Sequence, residues 1–446
     1  MTITPSTITP VTITAGRPWQ NWGRSVSAHP AYVATASSVG DVCAAVEFAR
    51  DRGLNLKPIG AGHSFTSIGA TDGVQLDVAG ISGIISVDGN LVRVGAGTYL
   101  HQLPGLLAPL GFALENMGDI DTQTIAGATS TGTHGTGASF KGLASQLEAI
   151  TLVTADGALL TISAEQNADL LPAARLGLGA LGVVVDVTLR CVPDFMMHAV
   201  EKAEPLDEVL DDWAHRASSV DHFEFYWFAH TTSALTKSNT RLPADTPRRV
   251  QGRFAAWVDD ELLPNRLYAA LCELGVRMPS TIPPLNRLSE RLVATREITD
   301  SWHPVFTSPR RVRFREMEYA IARENVPDAL REIRATIERN RWRITFPVEV
   351  RATASDDNWL STAHGRDTGY VAVHRYYRED PTEYFAAVES IMVGFGGRPH
   401  WGKMHGRDAA SLRPAYPRFD DFLAIRDRLD PGRLFANDYL RKVLGE

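Results

Sequence analysis

The glycines of this chain are unevenly spread, and their clustering constrains the fold more than any other feature. Of 36 glycines, 22 fall between Gly53 and Gly182, and only four (Gly252, Gly275, Gly365, Gly369) between Val183 and Val393. Five more crowd into Gly394 to Gly406. Glycine collects where the backbone turns tightly or must approach a ligand closely. A β-rich, turn-rich segment accounts for many of the first 22, but not for their concentration in GAGHS and STGTHGTG, echoed later in GFGGRPHWGK. The glycine-rich first part and the short glycine-rich return are therefore candidates for one ligand site, with the glycine-poor middle as a separate layer. At 446 residues the chain exceeds one compact core, and about two to three domains are expected.

Charge and composition exclude several classes. The 45 Lys and Arg against 52 Asp and Glu give a net charge of −7, so there is no general attraction to nucleic acid or to an anionic membrane. Hydrophobic content of 44% and charged content of 22% are ordinary for a globular chain. Cys43, Cys191 and Cys272 lie far apart without a CxxC pair, which points to buried thiols and a reducing, cytoplasmic setting. The Thr/Pro-rich start carries no Lys or Arg before Arg17 and does not read as a signal peptide. It suits either a mobile extension or an edge strand. No segment offers the ~18 apolar residues of a membrane span. The apolar run Leu176 to Leu189 is broken by Asp186 and glycines, and reads as turn and strand.

The periodicity of the first part is α+β. Val39 to Arg52 has helical spacing, with Ser38 as N-cap and Gly53 at its end. Leu56 to Ile59, Val74 to Val78, Ile84 to Val87, Leu91 to Val94, Ala149 to Thr154, Leu159 to Ile162 and Leu181 to Val192 read as strands. Asp88-Gly89-Asn90 and Asp156-Gly157 are hairpin signals. Leu100 to Leu110 reads as a helix despite Pro104. In the middle part, His222 to Ala229, Ala255 to Val258, Ile344 to Ala352 and Tyr370 to Tyr376 read as strands. Val326 to Asn340 and Glu383 to Met392 read as helices, giving an antiparallel sheet with helices on one face.

Four segments carry chemistry. Neither a Rossmann fingerprint nor a P-loop is present, so a bound nucleotide would need another architecture. Pro58, Ile59, Gly60, Ala61, Gly62, His63 and Ser64 form a turn whose glycines can bring N–H groups near a phosphate, although a histidine there is often only a surface or capping residue. Asn116 to Gly137 is a run of small and hydroxyl residues suited to a diphosphate, or else a β-turn-rich loop. Strand alternation puts Glu349 and Arg351 on one face, with Phe346, Val348 and Val350 on the other. Such a pair is either a solvated surface pair or a polar clamp for a polyhydroxy substrate. Lys403, in His400-Trp401-Gly402-Lys403, stands where the glycines return. The run Arg310, Arg311, Arg313, Arg315 reads as a solvated strand face diluted by Glu316 and Glu318.

Taken in order and spacing, these four segments resemble the vanillyl-alcohol-oxidase (PCMH-type FAD-binding) superfamily. Within it the chain is similar to the aldonolactone oxidases of the L-gulono-1,4-lactone oxidase group and to the related alditol oxidases. The resemblance implies a two-lobed α+β FAD domain over 1–192, an α+β cap with an antiparallel sheet over 193–398, and a return over 399–446 that completes the flavin site. It implies an 8α-histidyl bond between His63 and FAD, and a pyrophosphate segment at Asp121, Gly127, Ser130, Thr131, Gly132, Thr133 and His134, with His400 against the flavin. It also implies that Glu349, Arg351 and Lys403 meet the substrate. Asp119 stands where alditol oxidases have a serine and Tyr376 where they have a threonine, which favours a lactone over an alditol. Gly118 matches a position that gates oxygen, and its small size is similar to the oxidases. The implied reaction is oxidation of the C2 hydroxyl of an aldono-1,4-lactone to an ascorbate-type product, with hydride passing to flavin N5 and oxygen reduced to hydrogen peroxide. The alternatives are oxidation of a polyol's primary alcohol, or a dehydrogenase with another electron acceptor. No metal is implied.

Overall fold

Secondary structure in the chain follows its local signals closely in the first hundred residues. The structure, a computed structural model, describes residues 11–250, 265–292 and 294–446. The strand expected at Ala255 to Val258 and the first ten residues lie outside these. Helix Val39–Asp51 begins at a capping box: Asp41 N donates to Ser38 Oγ at 3.2 Å, and Ser38 N to the Asp41 carboxylate at 3.0 Å. Past its C-cap the chain turns at Gly53, φ +63°. The helix buries Val42, Ala45, Val46 and Ala49 against a four-stranded sheet ordered Thr12–Ala15, Tyr32–Thr35, Val74–Asp77, Leu56–Ile59. Its last three strands are parallel, and Thr12–Ala15 adds an antiparallel edge, so this part of the Thr/Pro-rich start is an edge strand.

A second, five-stranded antiparallel sheet follows, ordered Leu159–Ser163, Leu147–Val153, Val183–Arg190, Leu91–Gly95, Ile84–Asp88. Both expected hairpins form. Gly89 and Gly157 take the positive φ (56° and 86°) that tight turns require. Leu100 to Leu110 is not one helix. Pro104 and Pro109 lack N–H donors and restart the winding, leaving a short α-helix, Leu103–Leu107, between two 3₁₀ turns.

The glycine-poor middle builds an eight-stranded antiparallel sheet. Its order is Arg296–Ser301, Phe195–Pro205, Ser233–Pro243, His222–Phe228, Pro347–Thr353, Thr368–Tyr376, Phe314–Ala322, Arg398–Pro399. Helices Val326–Arg339 and Thr382–Gly394 cover one face, burying Leu330, Ile333, Val388 and Met392 against Val348, Val350, Val371 and Val373. Phe346 departs from its expected place. It precedes the strand and joins a separate aromatic cluster with Phe65, Phe314 and Tyr376.

The C-terminal return lies back on the first lobe. Leu56 N donates to Leu434 O at 2.8 Å, and the Asn437 amide donates to the carbonyls of Ser67, Ile68 and Ala70. Among the described residues no helix is long and apolar enough to cross a membrane.

Candidate active site

Three backbone seams bring the four motif segments together. Phe65 N donates to Gly402 O at 2.6 Å and Thr66 Oγ1 to Trp401 O at 3.1 Å, joining the GAGHS turn to HWGK. Gly137 N donates to Ala352 O at 2.7 Å, joining the THGTG segment to the Glu349–Arg351 strand. His400 N and Met404 N donate to the carbonyls of Glu318 and Glu316 at 3.0 and 2.9 Å, laying HWGK along strand Phe314–Ala322. Between the segments lie two adjoining cavities. The larger, about 890 Å³ with its open mouth included, is lined by Pro58 to Ser64 and by Gly127, Ser130 and Thr131. The smaller, about 510 Å³, is lined by Gly118, Asp119, Thr133, His134, Glu318, Arg351, His400, Gly402 and Lys403. His63, Ser64, Gln123 and Thr131 line both and mark the junction.

The larger cavity fits an anionic dinucleotide. A Cβ on Gly60 would stand 2.3 Å from Thr124 Oγ1, and Gly62 sits at φ +69°, so neither position readily takes a side chain. Helix Ile125–Thr131 presents its N-terminal turn here, capped by Thr124 Oγ1, which accepts from Gly127 N at 3.3 Å. A helix there was not expected, because the segment has almost no apolar periodicity. Its interior threonines return their hydroxyls to carbonyls one turn back: Thr129 to Ile125 O at 2.9 Å and Thr131 to Gly127 O at 3.0 Å. His63 stacks on Trp22 with ring centroids 5.3 Å apart, and its Nε2 meets Thr122 Oγ1 at 2.7 Å. Burial, with Lys403 nearby, pushes His63 down to about 4, so the ring is neutral at pH 7.

The smaller cavity holds a dense charge cluster on the uncovered face of the large sheet. Glu349 and Arg351 are both buried and in contact, which removes the solvated-pair reading. Arg351 Nε donates to Glu224 at 2.9 Å, and Arg351 Nη2 lies 3.4 Å from Asp119. Asp119 also accepts from Arg310 Nη2 at 2.9 Å. Burial alone would raise Asp119, but Arg351 and Arg310 outweigh it and hold the carboxyl well below its usual range. Glu349 goes the other way. Burial, reinforced by the nearby carboxylates of Asp119 and Glu224, outweighs Arg351 and pushes it up to about 7. Lys403 pairs with Glu316. Against the effect of burial, Glu316 and Glu318 raise its affinity for the proton.

Residues 187–443 match the D-arabinono-1,4-lactone oxidase family, and residues 30–163 match the FAD binding domain family. The chain is 42% identical to an L-gulono-1,4-lactone dehydrogenase of Mycobacterium tuberculosis, over 96% of this chain and 99% of that one. The chain belongs to the D-arabinono-1,4-lactone oxidase family. It is 34% identical to the L-gulonolactone oxidase of Bos taurus, over 96% and 98% of the two chains. It is 31% identical to an alditol oxidase of a Streptomyces species, over 92% and 94%. A cholesterol oxidase from B. sterolicum superposes with a TM-score of 0.82 over 97% of both chains at 17% identity, a likeness of fold. Membership of this family makes the protein an FAD-dependent oxidoreductase with a PCMH-type FAD-binding fold.

Not every expected residue of the family site reaches a cavity wall. Asp121 pairs with His303 at 3.0 Å, and Gly132 ends helix Ile125–Thr131 at φ +84°. Glu349 sits behind Arg351. Tyr376 turns away, donating its hydroxyl to Glu273 at 2.7 Å. The arginine run needs correction. Residues 310–313 precede the strand, which starts at Phe314, and Arg310 reaches Asp119 rather than standing free on a strand face. Glu316 and Glu318 do not dilute a solvated face; they are buried at 4% and 5% exposure and face Lys403 and His134. Glu224 and His374 were missed. His374 Nδ1 faces Pro347 O at 2.9 Å, and its Nε2 lies 3.6 Å from Glu316. Charged residues alternating on a strand were the available signal, but only strand register says which of them meet.

Proposed function

We propose that this protein oxidises the C2 hydroxyl of an aldono-1,4-lactone of the L-gulono-lactone type. The observation that carries the reading is that Arg351, Asp119 and Lys403 line the same cavity as His63, Gly118 and His400. On this reading 1–192 and 399–446 hold FAD and 193–398 is the cap that supplies the substrate groups. Pro58 to Ser64, Gly127, Ser130 and Thr131 hold the diphosphate, and His63, neutral at pH 7, carries the covalent attachment. When bound, FAD supplies the redox chemistry by accepting the hydride from C2.

The chain's own residues do the rest. Arg351 and Lys403 orient the lactone oxygens and stabilise negative charge developing at C2–O. Glu349, pushed up to about 7 and set one side chain back from the cavity wall, accepts the hydroxyl proton through a bridging water. Asp119, clamped between Arg351 and Arg310, fixes the guanidinium in place. Asp119, on the cavity wall, departs from the alditol-oxidase pattern, which favours the ring-closed substrate over an open-chain polyol; Tyr376, turned towards Glu273, takes no part in that choice.

Oxygen is the proposed acceptor, supported by Gly118. A Cβ there would lie 3.1 Å from His134 O and 3.3 Å from Thr133 Cγ2, so a methyl group would fill space that the glycine leaves open. A second reading, a dehydrogenase using another acceptor, is favoured by the name of the mycobacterial relative. Initial rates with L-gulono-1,4-lactone and with xylitol, read as peroxide release and again with an artificial acceptor without oxygen, separate these readings. Xylitol turning over faster than the lactone would overturn the substrate assignment. Reduction of the dye without peroxide in air would overturn the acceptor.

A further inference from the structure

We propose that Glu316 and Glu318 divide the site between them: Glu316 positions Lys403 and His374 for the substrate, and Glu318 positions His134 and His400 for the cofactor. The inference rests on the FAD-dependent reading above and assigns it two buried carboxylates that act through the side chains they hold.

The two glutamates are two positions apart on strand Phe314–Ala322, so both side chains leave the same face. A buried carboxylate is tolerated only where donors or cations satisfy it. Here each takes a different set. Glu316 contacts the Lys403 ammonium and lies 3.6 Å from His374 Nε2. His374 Nδ1 faces the Pro347 carbonyl at 2.9 Å and donates there, while its Nε2 points towards the carboxylate. Glu316, Glu349 and that carbonyl raise His374 in spite of its burial.

Glu318 instead meets His134 Nε2 at 3.2 Å, and His134 Nδ1 faces Gly135 O at 2.9 Å. The His134 ring is held flat on Tyr370, centroids 3.6 Å apart. The neighbouring His400 ring, 5.8 Å from His134, accepts from Gly402 N at Nδ1, which leaves its proton on Nε2. Glu318, His134 and His400 all line the smaller cavity; Glu316 does not. Lys403 stands where the two sets meet.

The test compares Glu316→Gln and Glu318→Gln in the purified flavin-loaded protein. Two readouts are taken: the visible absorption spectrum with the flavin midpoint potential, and the kcat and KM for L-gulono-1,4-lactone. Glu316→Gln is expected to raise the lactone KM about tenfold or more while spectrum and potential stay put. Glu318→Gln is expected to shift the spectrum and the midpoint potential, with a smaller change in KM than Glu316→Gln gives. Glu318→Asp should restore part of the shift. If Glu318→Gln fails to fold, His134→Gln removes the same contact from the other side and should move the same readouts. A flavin-free parent protein would overturn the underlying reading. A flavin-loaded parent whose Glu318→Gln and His134→Gln variants keep its spectrum and potential would overturn this division alone, as would two glutamate variants that move both readouts alike.

Discussion

Arg351 donates to Glu224 at 2.9 Å across two neighbouring strands of the large sheet, and the two side chains are 9% and 7% exposed. A hydrogen bond to a buried charged group contributes about 1.5–3 kcal/mol, and its loss leaves the partner poorly satisfied. Glu224→Gln keeps the shape and weakens the bond. Because Glu349 and Asp119 still hold Arg351, the expected loss in kcat/KM for the lactone is about tenfold, near 1.4 kcal/mol. Steady-state kinetics with a thermal melt separates this from general destabilisation.

That pair also marks where sequence reading stops. Alternation along one strand put Glu349 and Arg351 on a single face, and the first lobe's cap, hairpins and strands followed from local signals. Glu224 lies 127 positions from Arg351, and Glu316 lies 87 from Lys403. Their meeting depends on strand order and register, which no local pattern encodes. Helix Ile125–Thr131 escaped for another reason: it is stabilised by a cap, hydroxyl back-bonds and burial of small residues rather than by an apolar stripe.

The raised Glu349 sets a pH dependence. As a base it must be ionised, so kcat/KM should climb through about pH 7 and level off above it. Glu349→Gln should lose activity by about 10²–10⁴ at the plateau and flatten this limb. Stability runs the opposite way. The folded state binds the proton more tightly than the unfolded one, so Glu349's contribution is complete below 4.5 and is lost as pH rises towards 7. Paired pH profiles of rate and melting temperature would show the two trends crossing.

The bridge from Arg310 to Asp119 holds a carboxylate on the wall of the smaller cavity. Asp119→Ser, which introduces the residue of the alditol-oxidase pattern, should lower lactone turnover and raise xylitol turnover, narrowing their ratio by about tenfold or more. Arg310→Ala should shift the ratio the same way to a smaller extent, since its side chain is 37% exposed. An unchanged ratio in both variants would remove these residues from substrate selection.

Gly60→Ala should damage cofactor loading before it damages the fold. The added methyl would meet Thr124 Oγ1, the cap of the helix that opens onto the larger cavity. Thr124→Ala removes the cap itself at a cost of about 1 kcal/mol. Both variants should purify with less flavin per chain, measured as the ratio of flavin to protein absorbance. In His63→Ala, any flavin that remains should leave the protein on acid precipitation, whereas in the parent it should stay attached.

The central claim is that a lactone delivers its electrons to a flavin held in this site. Anaerobic mixing of the purified yellow protein with L-gulono-1,4-lactone, followed at flavin wavelengths, tests it in one step. The account expects the absorbance to bleach with the lactone, far more slowly with xylitol, and hardly at all with the lactone in Arg351→Met. A colourless protein, or a flavin that xylitol bleaches while the lactone leaves it oxidised, would contradict it.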